Sequence, residues 1–150
     1  MAAAKGAGRS AAVTRCDHIL RRVLGDVALV RLQDPIQLDD YSEPEPDIAV
    51  VALDIHDYED CHPTSEAVYL LVEVADTNLK RDLDFKMRLY AKSGIFEYWV
   101  LDVINRQIYI FRNPSPEGYQ SRLTVAEGDV IALMSCGDRK IMVADLLRSK

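Results

Sequence analysis

The chain has 150 residues, 49% of them hydrophobic and 28% charged, which suits one domain with a real core and excludes a disordered body. No apolar run approaches the ~20 residues needed to cross a bilayer. The net charge of −6 argues against a protein whose whole surface grips nucleic acid, since that binding relies on Lys and Arg to release counterions. It leaves room for a basic rim around a small site. Three cysteines (Cys16, Cys61, Cys136) at wide spacings read as free thiols in a reducing cytoplasm.

The opening "MAAAKGAGRSAAVTRC" lacks the continuous apolar segment of a secretory signal. Residues 1–10 are rich in Ala and Gly and are expected to be a disordered extension, with the single domain over 11–150. From Ala11 to Leu24 the apolar positions Val13, Ile19, Leu20, Val23 and Leu24 fit a helix that Gly25 ends. "DVALVRLQ" reads as a strand and "PIQLDD" as a second extended piece. "YSEPEPD" must be a connector, because each proline pushes its predecessor away from helix. "DIAVVAL" is a continuous apolar run of strand length, so both its faces should be covered.

"DIHDYEDCHPTSEA" is polar and aperiodic, hence a loop. Its His56, Cys61 and His62 match no common zinc spacing. "VYLLVEVA" is the next buried strand. "TNLKRDLDFKMRLYAKSG" opens on cap residues (Asp76, Thr77 or Asn78) and closes on Gly94, so it is a helix. "FEYWVLDV" is a further strand, turning near Ile104–Arg106 into "NRQIYIFRN", and "GYQSRLTV" extends the meander. "KIMVADLLRSK" looks like a short strand or turn and then a short helix. The whole is a mixed α/β (α+β) domain, with one helix before the central strands and one between them.

Three charges sit where burial makes charge costly. Glu73 lies inside the apolar run "LLVEVA" and shares a strand face with Ala75. Asp47 heads "DIAVVAL". If the two strands are neighbours, their carboxylates converge and repel unless a cation lies between them, and oxygen ligands of this kind suit magnesium or manganese. At about 100° per residue, Leu79, Leu83, Lys86, Met87 and Tyr90 share one helical arc. Lys86 therefore interrupts the core stripe and must either snorkel out or reach the acids. Asp82 and Tyr90 flank it at i−4 and i+4 and could orient it. Blander readings stand beside these: Glu73 paired with an Arg or Lys, Asp47 capping a turn, Lys86 snorkelling, Asp82 and Tyr90 as plain helix surface or core. Asp102 reads as a strand end that shapes the turn, and Trp99 as packing.

"SEPEPDIAVV" followed by "LVEVADTNLKRDLDFKMRLYAKSGIFEYWVLD" resembles the Uma-type restriction endonuclease family, which has the PD-(D/E)XK nuclease fold. The likeness runs from roughly Gly25 to the C-terminus, and the ordered set of motifs is what makes it specific. In the wider superfamily a lysine follows the glutamate by two strand residues; here that place is Ala75. Family members similarly carry a lysine on the next helix, matching Lys86. The resemblance implies a restriction-endonuclease-like core, a mixed central sheet flanked by helices. It also implies metal-dependent hydrolysis of phosphodiester bonds in nucleic acid, DNA by preference. Asp47, Glu73 and the main-chain carbonyl of Val74 would hold Mg2+ (or Mn2+), and Lys86 would serve the attacking water and the phosphate. By analogy with nucleases that cut both strands, a homodimer is implied as well. Relatives usually begin with an acidic segment before the first helix, and "MAAAKGAGRS" supplies no acid. The alternative is therefore an inactive nuclease-fold module that binds nucleic acid or a protein.

Overall fold

Alternation of side chains along the central strands decides the architecture. In the computed structural model, which describes residues 6–39 and 42–147, strands β1 (Leu29–Leu32), β2 (Ile48–Val51), β3 (Val68–Ala75), β4 (Glu97–Asp102), β5 (Gln107–Ser115) and β6 (Gly118–Ala126) form one sheet in chain order. The β3–β4 pair is parallel and the other pairs in this sheet are antiparallel. Strands β7 (Val130–Ile131) and β8 (Ile141–Met142) pair separately.

Each face of the sheet carries its own apolar cluster. Ile48, Val50, Val72, Val74, Trp99 and Leu101 pack against α1 (Ala7–Leu24) and α4 (Val143–Leu146). On the other face Ala49, Leu71, Ala75, Tyr98 and Val100 meet the helix that crosses from β3 to β4. That helix starts as α2 (Leu79–Arg81), passes through a π-helical turn (Asp82–Lys86) and ends as α3 (Met87–Lys92). Helices on both faces are why β2, β3 and β4 are apolar almost throughout.

Local chemistry explains the element ends. Gly94 takes φ 79°, and the Ile95 N–H donates to the Tyr90 carbonyl at 2.9 Å, a left-handed cap that glycine adopts at little cost. The turn at 103–106 leads into β5, and Asp102 anchors it by accepting bonds from the Asn105 backbone and side chain at 3.1 and 2.9 Å.

Two expectations need correction. Helix α1 begins at Ala7 rather than Ala11, with Gly6 as its cap residue; residues 1–5 of the expected extension lie outside the described residues. The extended piece "PIQLDD" joins no sheet: Gln37 and Asp39 make isolated bridges, to Thr64 and Ser42, and Asp40 is outside the described residues. The first strand is also shorter than "DVALVRLQ", because Gln33 turns to φ 53° and stops it at Leu32. Among the described residues, no helix is long and apolar enough to cross a membrane.

Candidate active site

Strand β2 ends its pairing with Ile48 opposite Val72, while β3 continues to Ala75. Beyond that point the peptide groups of Val74 need other partners, because a buried backbone N–H or C=O left unpaired is costly. The Val74 N–H donates to Asp47 Oδ2 at 2.8 Å. The Val74 carbonyl accepts from Arg9 Nε at 2.7 Å. Asp47 returns its own backbone N–H to Glu73 Oε1 at 3.2 Å. Asp47 and Glu73 are thus both buried near the end of β3 and are linked through the Asp47 backbone N–H.

The crossing helix supplies the next layer. Lys86 Nζ lies 3.1 Å from Glu73 Oε2 and 3.3 Å from Asp82 Oδ1. The Tyr90 hydroxyl donates to Glu73 Oε2 at 2.9 Å. Lys86 thus reaches the acids instead of snorkelling away, and its side chain keeps 26% exposure. Asp82 is a buried second carboxylate on the same ammonium. The residues involved fall in the π-helical turn and just after it, a widened form of helix often found at functional sites. The Tyr98 hydroxyl donates to the Asp82 carbonyl at 2.9 Å and ties this turn to β4. Ala75, on Glu73's face, is fully buried.

Burial dominates the electrostatics. It pushes the Glu73 carboxyl up to about 7; Lys86 pulls it down, Asp47 and Asp82 push it up, and the Tyr90 bond pulls it down. Burial likewise raises Asp82, against the pull of Lys86. For Lys86, burial works against its charge, yet Glu73 and Asp82 outweigh burial and the net shift is upward. Burial and then the Glu73 charge raise Tyr90, which stays a neutral donor at ordinary pH. Tyr90→Phe is accordingly expected to cost about 1.5–3 kcal/mol at pH 8, where Glu73 is ionised, and less at pH 5. Urea unfolding at the two pH values measures the difference.

Arg9 is the residue not foreseen. It reaches round the sheet end from α1, on the face opposite Lys86, and its Nη2 lies 3.1 and 3.2 Å from the two Asp47 oxygens. A signal existed: the buried face of α1 runs through Ala12, Val13, Cys16 and Leu20, and Arg9 continues that stripe one turn upstream. A cation on a core stripe is the same anomaly that marks Lys86.

Asp47, Glu73 and the Val74 carbonyl are hard oxygen donors at this end of β3, of the kind that suits magnesium or manganese. Among the described residues, no group of three or more His, Cys, Asp or Glu side chains is placed to hold a metal ion. The loop residues His56, Cys61 and His62 are included in that statement.

A mixed six-stranded sheet flanked by helices, with acids and a lysine gathered at one strand end, defines a restriction-endonuclease-like fold. The crystal structure of a "putative nuclease belonging to DUF820" from Anabaena variabilis shares it, with a TM-score of 0.75 and 16% identity over 96% of this chain and 82% of that one. Residues 4–141 match the Uma2 family, described as "Putative restriction endonuclease", and the chain belongs to that family. The match starts well upstream of Gly25, so it takes in α1 as well as the motifs. No curated protein matches the chain.

Proposed function

We propose that this protein is a metal-dependent endonuclease that hydrolyses phosphodiester bonds in DNA. The convergence of Asp47, Glu73, the Val74 carbonyl and Lys86 at the end of β3 carries the reading. Held by Asp47, Glu73 and the Val74 carbonyl, a magnesium or manganese ion would supply a water of lowered pKa and neutralise charge at phosphorus. Lys86, whose side chain is partly exposed, sets its ammonium beside Glu73, where it would meet a phosphate oxygen or orient a water. Asp82 fixes that ammonium from the helix, and Tyr90 fixes Glu73. A chain with one such centre cuts one strand, so a double-strand break calls for a homodimer.

One observation favours a second reading, a non-catalytic module that binds nucleic acid or protein. Arg9 already neutralises Asp47, so the acids are stable without a metal. Nicking of supercoiled plasmid in magnesium, manganese or EDTA decides between them. Relaxation that needs the metal supports the nuclease, and an intact plasmid in every condition supports the module.

The metal-free protein should also show a defined pH dependence. Glu73 is raised from 4.5 to about 7, so the folded chain binds more protons than the unfolded chain between these values. Stability from this group is full below 4.5 and is lost as pH rises through 7. In EDTA, stability is expected to fall by on the order of 2 kcal/mol between pH 5 and pH 8. Urea midpoints measure it, and a midpoint that rises over that interval contradicts the assignment.

A further inference from the structure

We propose that Arg9 is the resident cation of this centre, a guanidinium that holds the position a divalent ion would take and must withdraw before metal enters. The proposal rests on the metal-centre reading above and adds a control to it. Three observations carry it. The first is which atoms Arg9 engages: both oxygens of Asp47 and the Val74 carbonyl, two of the three donors assigned to the ion. A nitrogen 2.7 Å from that carbonyl stands in the space where a magnesium ion about 2.0–2.1 Å away would lie. Two positive groups cannot share those oxygens at such range.

The second is the place of Arg9 in its own helix. It lies in the first turn of α1, where a positive charge opposes the helix dipole. No acidic residue occupies that turn, and the cap residue Gly6 makes no side-chain bond. Nothing local to the helix favours a cation there. Its compensation comes from Asp47, 38 residues away in sequence, and from the sheet end.

The third is the means of release. Gly6, Ala7 and Gly8 are exposed, and nothing approaches within 4 Å of where a Gly8 side chain would start. Glycine is a poor helix former, so this turn can unwind at small cost. The rest of α1 stays anchored from Ala12 onward by its buried face. Withdrawal of Arg9 then frees Asp47 and the Val74 carbonyl without disturbing the sheet. Metal affinity is lowered by the fraction of molecules in which Arg9 is docked, as for any site whose competent state is a minor one.

The test is calorimetric titration of manganese into the wild type, Arg9→Gln and the Arg9→Gln/Glu73→Gln double variant, with a thermal melt of each in EDTA. Arg9→Gln is expected to bind manganese roughly tenfold tighter or more than the wild type. It should melt lower in EDTA and recover with manganese, and the double variant should lose the binding. Equal affinity in wild type and Arg9→Gln overturns the proposal and leaves the metal centre standing. Binding that survives in the double variant lies elsewhere and also overturns it. Absence of binding in both wild type and Arg9→Gln removes the proposal and the metal reading together.

Should Arg9→Gln fail to fold, the wild type still answers by NMR. The Arg9 Nε–H, bonded to Val74 in the free protein, should move to a solvent-exposed position as magnesium is added. A signal that keeps its bonded position while the amide of Val74 reports bound magnesium overturns the proposal, as does a site that takes no magnesium at all.

Discussion

Glu73→Gln should abolish metal-dependent cleavage while the protein stays folded, which a plasmid nicking assay and circular dichroism can measure side by side. The amide keeps the shape: its one oxygen can still accept the Asp47 N–H, while the Tyr90 hydroxyl, now bonded to the other carboxylate oxygen, can turn to accept from the amide NH2. What goes is the negative charge needed to hold a divalent ion. The substitution also removes a carboxylate that burial already raises to about 7. In EDTA at pH 8 the variant should therefore be as stable as the parent or more so, and its stability should vary less with pH. Undiminished cleavage would place the activity elsewhere or in a contaminant.

Lys86→Met should lower cleavage by on the order of a hundredfold, the usual scale for loss of one electrostatic catalytic group. Sequence alone suggests that methionine would fit the stripe between Leu83 and Tyr90 without loss of stability. The structure changes that expectation. Lys86 is the cation shared by two buried carboxylates, Glu73 and Asp82, and removing it leaves both with less compensation. The variant should lose about 1–3 kcal/mol at pH 8 and should hold the Glu73 proton to higher pH than the parent. Activity against pH separates this role from mere packing: a profile shifted to higher pH marks a lost electrostatic partner. An unshifted, fully active Lys86→Met would remove Lys86 from the site.

Much of this arrangement was legible because burial on two faces leaves a strong imprint. "DIAVVAL", "VYLLVEVA" and "EYWVLD" carry few polar residues, and each of those is either in the site or consumed by specific partners. Glu97 shows how the second kind is built. It is fully buried, yet its carboxylate is taken up by Arg112, the Trp99 indole and the Met134 N–H at 3.0, 2.7 and 2.8 Å. From sequence, Glu97 and Glu73 look alike. Their partners set the structural anchor apart from the candidate site residue, and the order of motifs, rather than any local pattern, singles out Glu73.

What stayed hidden has physical causes. Arg9 is hard to see because glycine and alanine around it make a weak helix signal, and the periodic stripe reads as beginning after it. The π-helical turn leaves no composition mark, since it changes the hydrogen-bond spacing of ordinary helix formers. Whether the extended piece "PIQLDD" enters a sheet depends on what lies alongside: Ile36 is buried, but its neighbours make isolated bridges.

Strand β3 has eight residues and its neighbour β2 only four, and this inequality has a consequence for how such a centre can be lost or regained. The amide and carbonyl of Val74 are available because β2 stops short, and Pro46, lacking an N–H, cannot lengthen it toward them. The candidate site begins where the fabric of the sheet is left unfinished. Carrying that hem on by two residues, to position 46 opposite Val74, would close off these groups while leaving every acidic and basic side chain of the candidate site in place. Inspection of the motif residues alone would then report an intact enzyme. The continuity of the strand edge is as much a hereditary determinant of this site as the carboxylates themselves.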